Sequence, residues 1–514
     1  MTFGSRTPAD CMKFFEHTGS WIPHTREVRQ FFGQRLWFTV CFAGVFFIGM
    51  GCQTAPQERE VPMDIPSSFR EEGPPLKPAA AESWWSVFQD PVLDALVERA
   101  FGENLNLRSA FERLRAAEAL ADRAGARGFP VLELEGRGRA QDPDNPNSED
   151  LSIGLAARYE VDLWGRVRAS AEAETLRARA TRFDTEAAAL SLSALITRGY
   201  YGYLAAEARL HLLESQLAAN EEQLDLLNAR FGSGQIRGVD ILRQRELVEA
   251  RRGEIFEARA AAATLQNQLA VLVGAPPMDF SLPAPTEPED PAAMLPLPPG
   301  LPPTGVPADL LRRRPDLRAA AERLRAADRE YAAALADRYP RIDLSAFVGT
   351  AGEADVLFDD WIQTLTGSLL APLFEGGLRT AEVERTDALA ASAANDFVQA
   401  VLEAFREVED ALVREEQQRA LLESLEAQVQ LSQQSYDQLR TEYFNGVSSY
   451  LDVLTSLTDL QRLQRERVTA RQNLIEFRIN LYRALGGGIR SDALELPEPR
   501  EASSSGGNRI VPTS

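Results

Sequence analysis

Few residues of this chain are equipped for chemistry. Of its 3 cysteines and 3 histidines, Cys11, Cys41 and Cys52 all fall in the first tenth of the sequence, and the body keeps only His211, inside a long helical pattern. Cysteines so placed exclude a disulfide framework for the body. The glycine triplet Gly486–Gly488 follows a helix and lacks the Lys and Ser/Thr of a phosphate loop, so it reads as helix termination. The carboxylates Glu407 and Asp410 sit at ordinary spacing on a solvated helix face. These residues predict no catalysis, no cofactor and no metal site. The net charge of −21 argues against nucleic acid, which favours a basic surface.

The remaining reactive candidate is Cys52. Arg26, Arg29 and Arg35 precede an apolar run from Leu36 to Gly51, the layout of a secretory leader. The run is short for a spanning helix, which needs about 20 apolar residues. Gly51-Cys52 resembles a bacterial lipoprotein cleavage site, although Gly49 stands where Leu is usual. Gln53, in place of Asp, implies passage to the outer membrane. Residues 1–51 are thus read as a leader with preceding residues, Cys52 as a lipidation site, and 52–82 as a lipid-anchored linker.

The body repeats itself. Asn106-Leu107-Arg108 and Glu112–Ala117 return as Asp316-Leu317-Arg318 and Glu322–Ala327, and Phe129-Pro130 returns as Tyr339-Pro340. Phe231, Gly234 and Asp240 return as Phe444, Gly446 and Asp452. Landmarks that keep register over so long a span indicate two tandem copies, at 83–275 and 305–496. A Pro-rich linker (276–304) with little regular structure separates them, and 497–514 reads as a disordered tail.

Each copy reads helix, strand, strand, long helix hairpin. In the first copy a helix is expected from about Asp90 to Ala126. Apolar or small residues then alternate with polar ones over 131–140 and 151–163, and again in the second copy over 341–349 and 363–374. Runs of about 10 residues suit a tilted bilayer crossing. Each hairpin is the only strand material of its copy, so no soluble sheet partner is visible. Four strands enclose no lumen, and barrels of about 8 are already filled by side chains. An open edge in lipid costs several kcal/mol per unpaired group. Three chains supplying twelve strands leave a pore. Glu133, Arg137 and Glu160 are candidates to line it.

Two stretches without proline, Gly165 to about Arg230 and Gly377 to about Thr441, each span on the order of 100 Å as helix. They reverse at Phe231–Gly234 and Phe444–Gly446 and return over 239–273 and 449–485. The expected fold is mostly α with a membrane β-barrel: four strands and long coiled-coil helices per chain, assembling as a trimeric 12-stranded barrel above a helical barrel.

The order of landmarks resembles the TolC family, in its lipoprotein branch serving resistance-nodulation-division pumps. The resemblance covers roughly Ser83 to Leu496. Ser83-Trp84-Trp85, Phe88–Pro91, Tyr159–Arg166, Gly305–Ala327, Leu373–Gly377, Arg406–Leu412 and Ala484–Gly488 carry it. It implies a homotrimer in outer-membrane lipid, a periplasmic adaptor and an inner-membrane transporter as partners, and a passive exit duct for small molecules such as drugs or metals. It further implies a periplasmic gate at Tyr443, Leu451 and Asp452 and adaptor-contact turns at Gly234, Asp240 and Gly446; three Asp452 carboxylates would then form an acidic ring, the alternative being that Asp452 caps or solvates a helix start. Thr455 and Ser448 replace an acid and an arginine of the family pattern, so its gate ion pairs are not reproduced in full. The alternatives are a duct for type I protein secretion and a periplasmic coiled-coil scaffold whose hairpins are soluble.

Overall fold

The computed structural model describes residues 63–69, 83–140, 149–286, 288–352, 357–358 and 360–488. Cys52, the leader and the tail lie outside the described residues.

The first copy opens with a 3-10 turn (Trp84–Phe88) and helices α1 (Pro91–Glu103) and α2 (Leu105–Ala126). Strands β1 (Val131–Ala140) and β2 (Glu149–Val161) follow, then α3 (Arg166–Gly232) and α4 (Gly238–Leu272). The second copy runs α5 (Pro307–Arg313), α6 (Pro315–Ala336), β3 (Arg341–Gly352), β4 (Trp361–Leu370), α7 (Leu378–Phe444) and α8 (Tyr450–Ala484). The single helix expected over 90–126 is therefore two. Asn104 breaks it: its Oδ1 caps the second helix at the Leu107 amide (2.9 Å), while its Nδ2 donates to the Leu272 carbonyl (2.8 Å). Pro315 makes the same break in the second copy, because it has no amide proton to continue a helix.

The four strands form one antiparallel sheet in the order β1-β2-β3-β4. Two strands stop earlier than their alternation suggests. Arg341 is the first residue of β3 and pairs with Leu370, while Ile342 pairs with Val161. Pro340 has no N–H to extend the ladder, so the segments after Val161 and Leu370 have no partner within the chain.

α3 and α7 have 67 residues each, about 100 Å at 1.5 Å per residue. Gly165 (φ 80°) and Gly377 (φ 91°) turn the chain from strand into helix through a conformation costly to other residues. α4 folds back along α3 and α8 along α7. α3 packs on α8 below and on α6 above, and α6 in turn packs on α7. The main core lies where the opening segment meets the upper hairpins: Trp84, Trp85, Leu93, Tyr201, Ile196, Leu269 and Ile475 are all buried in it. Trp84 stacks on Tyr482 (5.5 Å between ring centroids) and donates Nε1–H to Ser193 Oγ (2.9 Å). The Pro-rich linker has two 3-10 turns, and its Ala292 and Leu295 enter the same core. Among the described residues no helix is long and apolar enough to cross a membrane.

Candidate functional site

The strand register decides what the sheet can face. Leu132, Ala157, Ala346 and Leu365 form one cross-strand row, Leu134, Leu155, Val348 and Gln363 the next, and Val161, Ile342 and Leu369 another. Side chains alternate faces along each strand, so every apolar series found in the sequence falls on the same side. The opposite side carries Glu133, Glu135, Arg137, Arg158, Glu160, Asp343, Ser345, Thr364, Thr366 and Ser368. Arg158 bridges Glu133 (2.8 Å) and Glu135 there. One face is suited to hydrocarbon and the other to water, and both β1 and β4 are free edges. Glycines at the paired positions Gly154 and Gly349 let the Phe347 ring lie over them, since a Cβ on either would meet it within 2.7 Å.

The sheet is joined to the helices by a charged collar. Asp337 accepts from Arg379 (2.8 Å) and Arg341 (2.5 Å). Burial raises its pKa, and these two arginines outweigh that and leave it lowered. Asp162 caps α3 at the Val167 and Arg168 amides (3.0 and 2.8 Å). Trp164 stacks on Tyr339 and donates Nε1–H to the Pro340 carbonyl (2.8 Å). Amphipathic aromatics of this kind favour a membrane–water boundary.

At the far end, both hairpins turn by the same device. The Gln235 amide donates to the Arg230 carbonyl and the Gly234 amide to that of Phe231; Val447 to Glu442 and Gly446 to Tyr443 repeat the pattern. This is a Schellman closure, with Gly234 (φ 72°) and Gly446 (φ 75°) left-handed as it requires.

The two tips touch. The Arg230 guanidinium lies 5.1 Å from the Tyr443 ring centroid and 4.6 Å from that of Phe444. Tyr450 packs with Leu227 and Ile241, and its hydroxyl donates to Gln244 Oε1 (2.6 Å). Burial, first of all, and then the nearby Tyr443 push the Tyr450 hydroxyl well above its ordinary pKa. Above the tips the seam between α3 and α8 is made of amides. Gln461 Nε2 donates to Asn220 Oδ1 (3.0 Å) and Gln216 Nε2 to Gln464 Oε1 (2.9 Å), while from α4 Gln244 Nε2 donates to the Asn220 carbonyl (2.7 Å).

The expected gate residues fall in this region. Leu451 and Asp452 are exposed, and Tyr443 is half-buried with an unpartnered hydroxyl. Asp452 forms a capping box with Ser449, accepting from its amide (3.0 Å) and its Oγ (2.7 Å). The Ser449 hydroxyl, then its backbone N–H, lowers the Asp452 pKa. Thr455 and Ser448 bond to backbone carbonyls of Leu451 and Leu439. Asp240, the counterpart of Asp452, is only 4% exposed. Its Oδ1 lies 3.4 Å from Arg237 and 3.8 Å from Arg243. Both arginines are more exposed than the carboxylate, which lies in the first turn of α4. Arg230, Tyr450 and the Asn220–Gln461 pair were not singled out from the sequence. Buried amides at core-period positions of α3 and α8 were the available signal.

A family model described as outer membrane efflux protein matches residues 96–275 and 306–487. The pyoverdine export outer membrane protein OpmQ of Pseudomonas aeruginosa is 29% identical over 456 residues, covering 86% of this chain and 95% of that protein. The toluene efflux pump outer membrane protein TtgI of Pseudomonas putida is 30% identical over 422 residues, covering 78% and 86%. Among solved structures, the outer-membrane channel OprN superposes with a TM-score of 0.77 at 27% identity, covering 85% of this chain and 99% of its own. The open state of the Neisseria gonorrhoeae MtrE outer membrane channel gives 0.74 at 27% identity, with the same coverage.

Proposed function

The chain belongs to the outer membrane efflux protein family, and from that premise we propose that three copies form the passive exit duct of a tripartite pump. The observation that carries the reading is the sheet: four strands share one apolar face and leave two free edges. In lipid those edges must be paired, and three copies close a twelve-stranded ring. The charged face then lines water, and α3 and α7 carry the passage about 100 Å into the periplasm. A periplasmic adaptor docks at the tips around Gly234 and Gly446, and an inner-membrane transporter supplies the energy. The duct itself performs no chemistry. Its cargo is of the small-molecule class, as the pyoverdine and toluene in the relatives' names suggest. Acylation of Cys52 anchors the linker 52–82 in the outer membrane. Leu451, Tyr443 and Asp452 narrow the periplasmic mouth.

Deletion of the gene, followed by susceptibility testing across antibiotics, solvents, dyes and metal ions, tests the reading. Sensitivity to at least one class is expected, restored by the intact gene. A strain with unchanged sensitivity but a lost secreted protein supports the protein-secretion duct in its place. Purified protein that stays monomeric and soluble without detergent removes the conduit.

A further inference from the structure

Within one chain the helices form a wall with two different edges. α3 is flanked by α2 and α4 on one side and by α6 and α8 on the other, and α7 stands beyond α6 and α8. α2 leads into β1 and α7 issues from β4, so β1, α2 and α4 share one edge, while β4 and α7 share the other. A ring of identical copies joins unlike edges. The rotation that sets a β1 edge beside the next copy's β4 edge therefore also sets α4 beside the next copy's α7.

Both helical edges carry large apolar side chains with nothing on them. On α4 these are Leu242 (64% exposed) and Phe256 (68%), two heptads apart and hence on one line; on α7, Leu431 (65%) faces outward. Isolated exposed apolar residues need no explanation, but Leu242 and Phe256 share one line of a helix whose neighbouring exposed positions are mostly charged, and that alignment suits a helix–helix contact. The heights agree as well. Arg230 against Phe444 fixes the two tips at one level. Phe256 stands 22 positions after Gly234, and Ser424 stands 22 positions before Gly446, so each is about 33 Å above its turn. Ser424, Ala420 and Ala427 are all exposed on α7 and leave room for a ring. Glu249 and Leu431 are each 15 positions from their glycine, and Gly253, one turn from Glu249, has open space at its Cβ position.

We propose that Phe256 of one copy docks on the Ala420–Ser424–Ala427 face of the next copy's α7, with Leu431 of that α7 packed beside Gly253, as the subunit seam of the helical barrel. The inference rests on the trimeric duct reading and assigns that reading its contact residues. It makes the seam a knobs-into-holes contact between unlike helices.

The test is disulfide formation in native outer membranes. The pair Phe256→Cys with Ser424→Cys is expected to give a reductant-sensitive ladder of dimers and trimers on denaturing gels, and so is the pair Glu249→Cys with Leu431→Cys. Each single variant should stay at background. The out-of-register pair Leu242→Cys with Ser424→Cys, 14 positions apart in height, should not cross-link. All four residues of the in-register pairs are exposed in the protomer, so loss of protomer folding is not expected. A trimer on native gels without either ladder, or dimers from Phe256→Cys alone, overturns the seam and leaves the duct standing. Absence of any trimer in the unmodified protein overturns both.

Discussion

The belt near the middle of the molecule and the tips at its far end are held together by opposite means. In the belt, Arg478 and Glu415 are fully buried and paired through Nε–Oε2 (2.8 Å) and a second, shorter contact. Arg478 Nη1 also donates to the Pro299 and Gly300 carbonyls of the linker (2.7 and 2.9 Å). Ile475 and Ile479, its neighbours on α8, belong to the core that also buries Trp84 and Tyr201. Toward the tips α3 meets α8 through amides, and one guanidinium lies over two aromatic rings. Buried charge networks and apolar packing resist water, whereas amide pairs exchange protein partners for water at small net cost. The wall is therefore held firmly at the belt and more loosely near the tips, where the proposed gate residues lie.

Removing a charge from the belt should have the largest effect. Arg478→Ala leaves the buried Glu415 with only the half-exposed Arg419 (3.0 Å) and frees the linker, a loss of about 3 kcal/mol. Denaturant unfolding in detergent should show it, and the trimer should dissociate at lower temperature. A change as small as that expected at the mouth erases the distinction between the regions.

A smaller loss is expected from the amide seam. Gln461→Leu strands the buried Asn220 side chain, at about 1–3 kcal/mol. The double variant Asn220→Leu with Gln461→Leu restores most of that stability, because neither side then needs a partner. It should also slow hydrogen exchange at the start of α8. If the double variant is worse than the single, the seam is held by geometry beyond this pair.

Much of the architecture was legible because it is written locally. Period-two alternation placed the strands, proline-free length placed the long helices, and the repeated Gly234 and Gly446 marked both reversals. What stayed hidden depends on contacts across the chain. Asn104 looks like an ordinary cap, and its bond to the Leu272 carbonyl spans 168 positions. Asp240 and Asp452 occupy equivalent places in the repeat, yet one is buried beside Arg237 and Arg243 and the other is exposed with Ser449. No local pattern tells them apart, because Tyr450 and its neighbours supply the cover. The Pro-rich linker shows the same limit. Its composition predicts little regular structure, and nothing in it announces that Arg478 will hold two of its carbonyls.

The cation–π contact should matter less to stability than the amides. Arg230→Gln removes the charge over Tyr443 and Phe444, worth about 0.5–1 kcal/mol at an exposed site. Global unfolding should barely shift. Hydrogen exchange over 443–450 should accelerate while the belt around Ile475 and Ile479 stays protected. Equal acceleration in both regions means that belt and mouth open together.

Asp452→Asn should leave stability near neutral pH essentially untouched and still change conduction. The pKa of Asp452 in the folded chain lies below its ordinary value of 3.8, because the Ser449 hydroxyl and amide donate to the carboxylate. A depressed folded pKa contributes stability that is fully present above the unfolded value and is lost as pH falls through the folded one. That window lies below 3.8, so neutral pH is a plateau. The charge itself persists across the same plateau. Three such carboxylates at a narrow mouth prefer cations, so reversal potentials in planar bilayers should show a cation preference that survives acidification past 3.8 and vanishes in Asp452→Asn. A preference lost well above that value indicates that the three carboxylates repel one another more strongly than Ser449 holds each of them. No preference at any pH removes Asp452 from the gate and leaves it as the cap of α8.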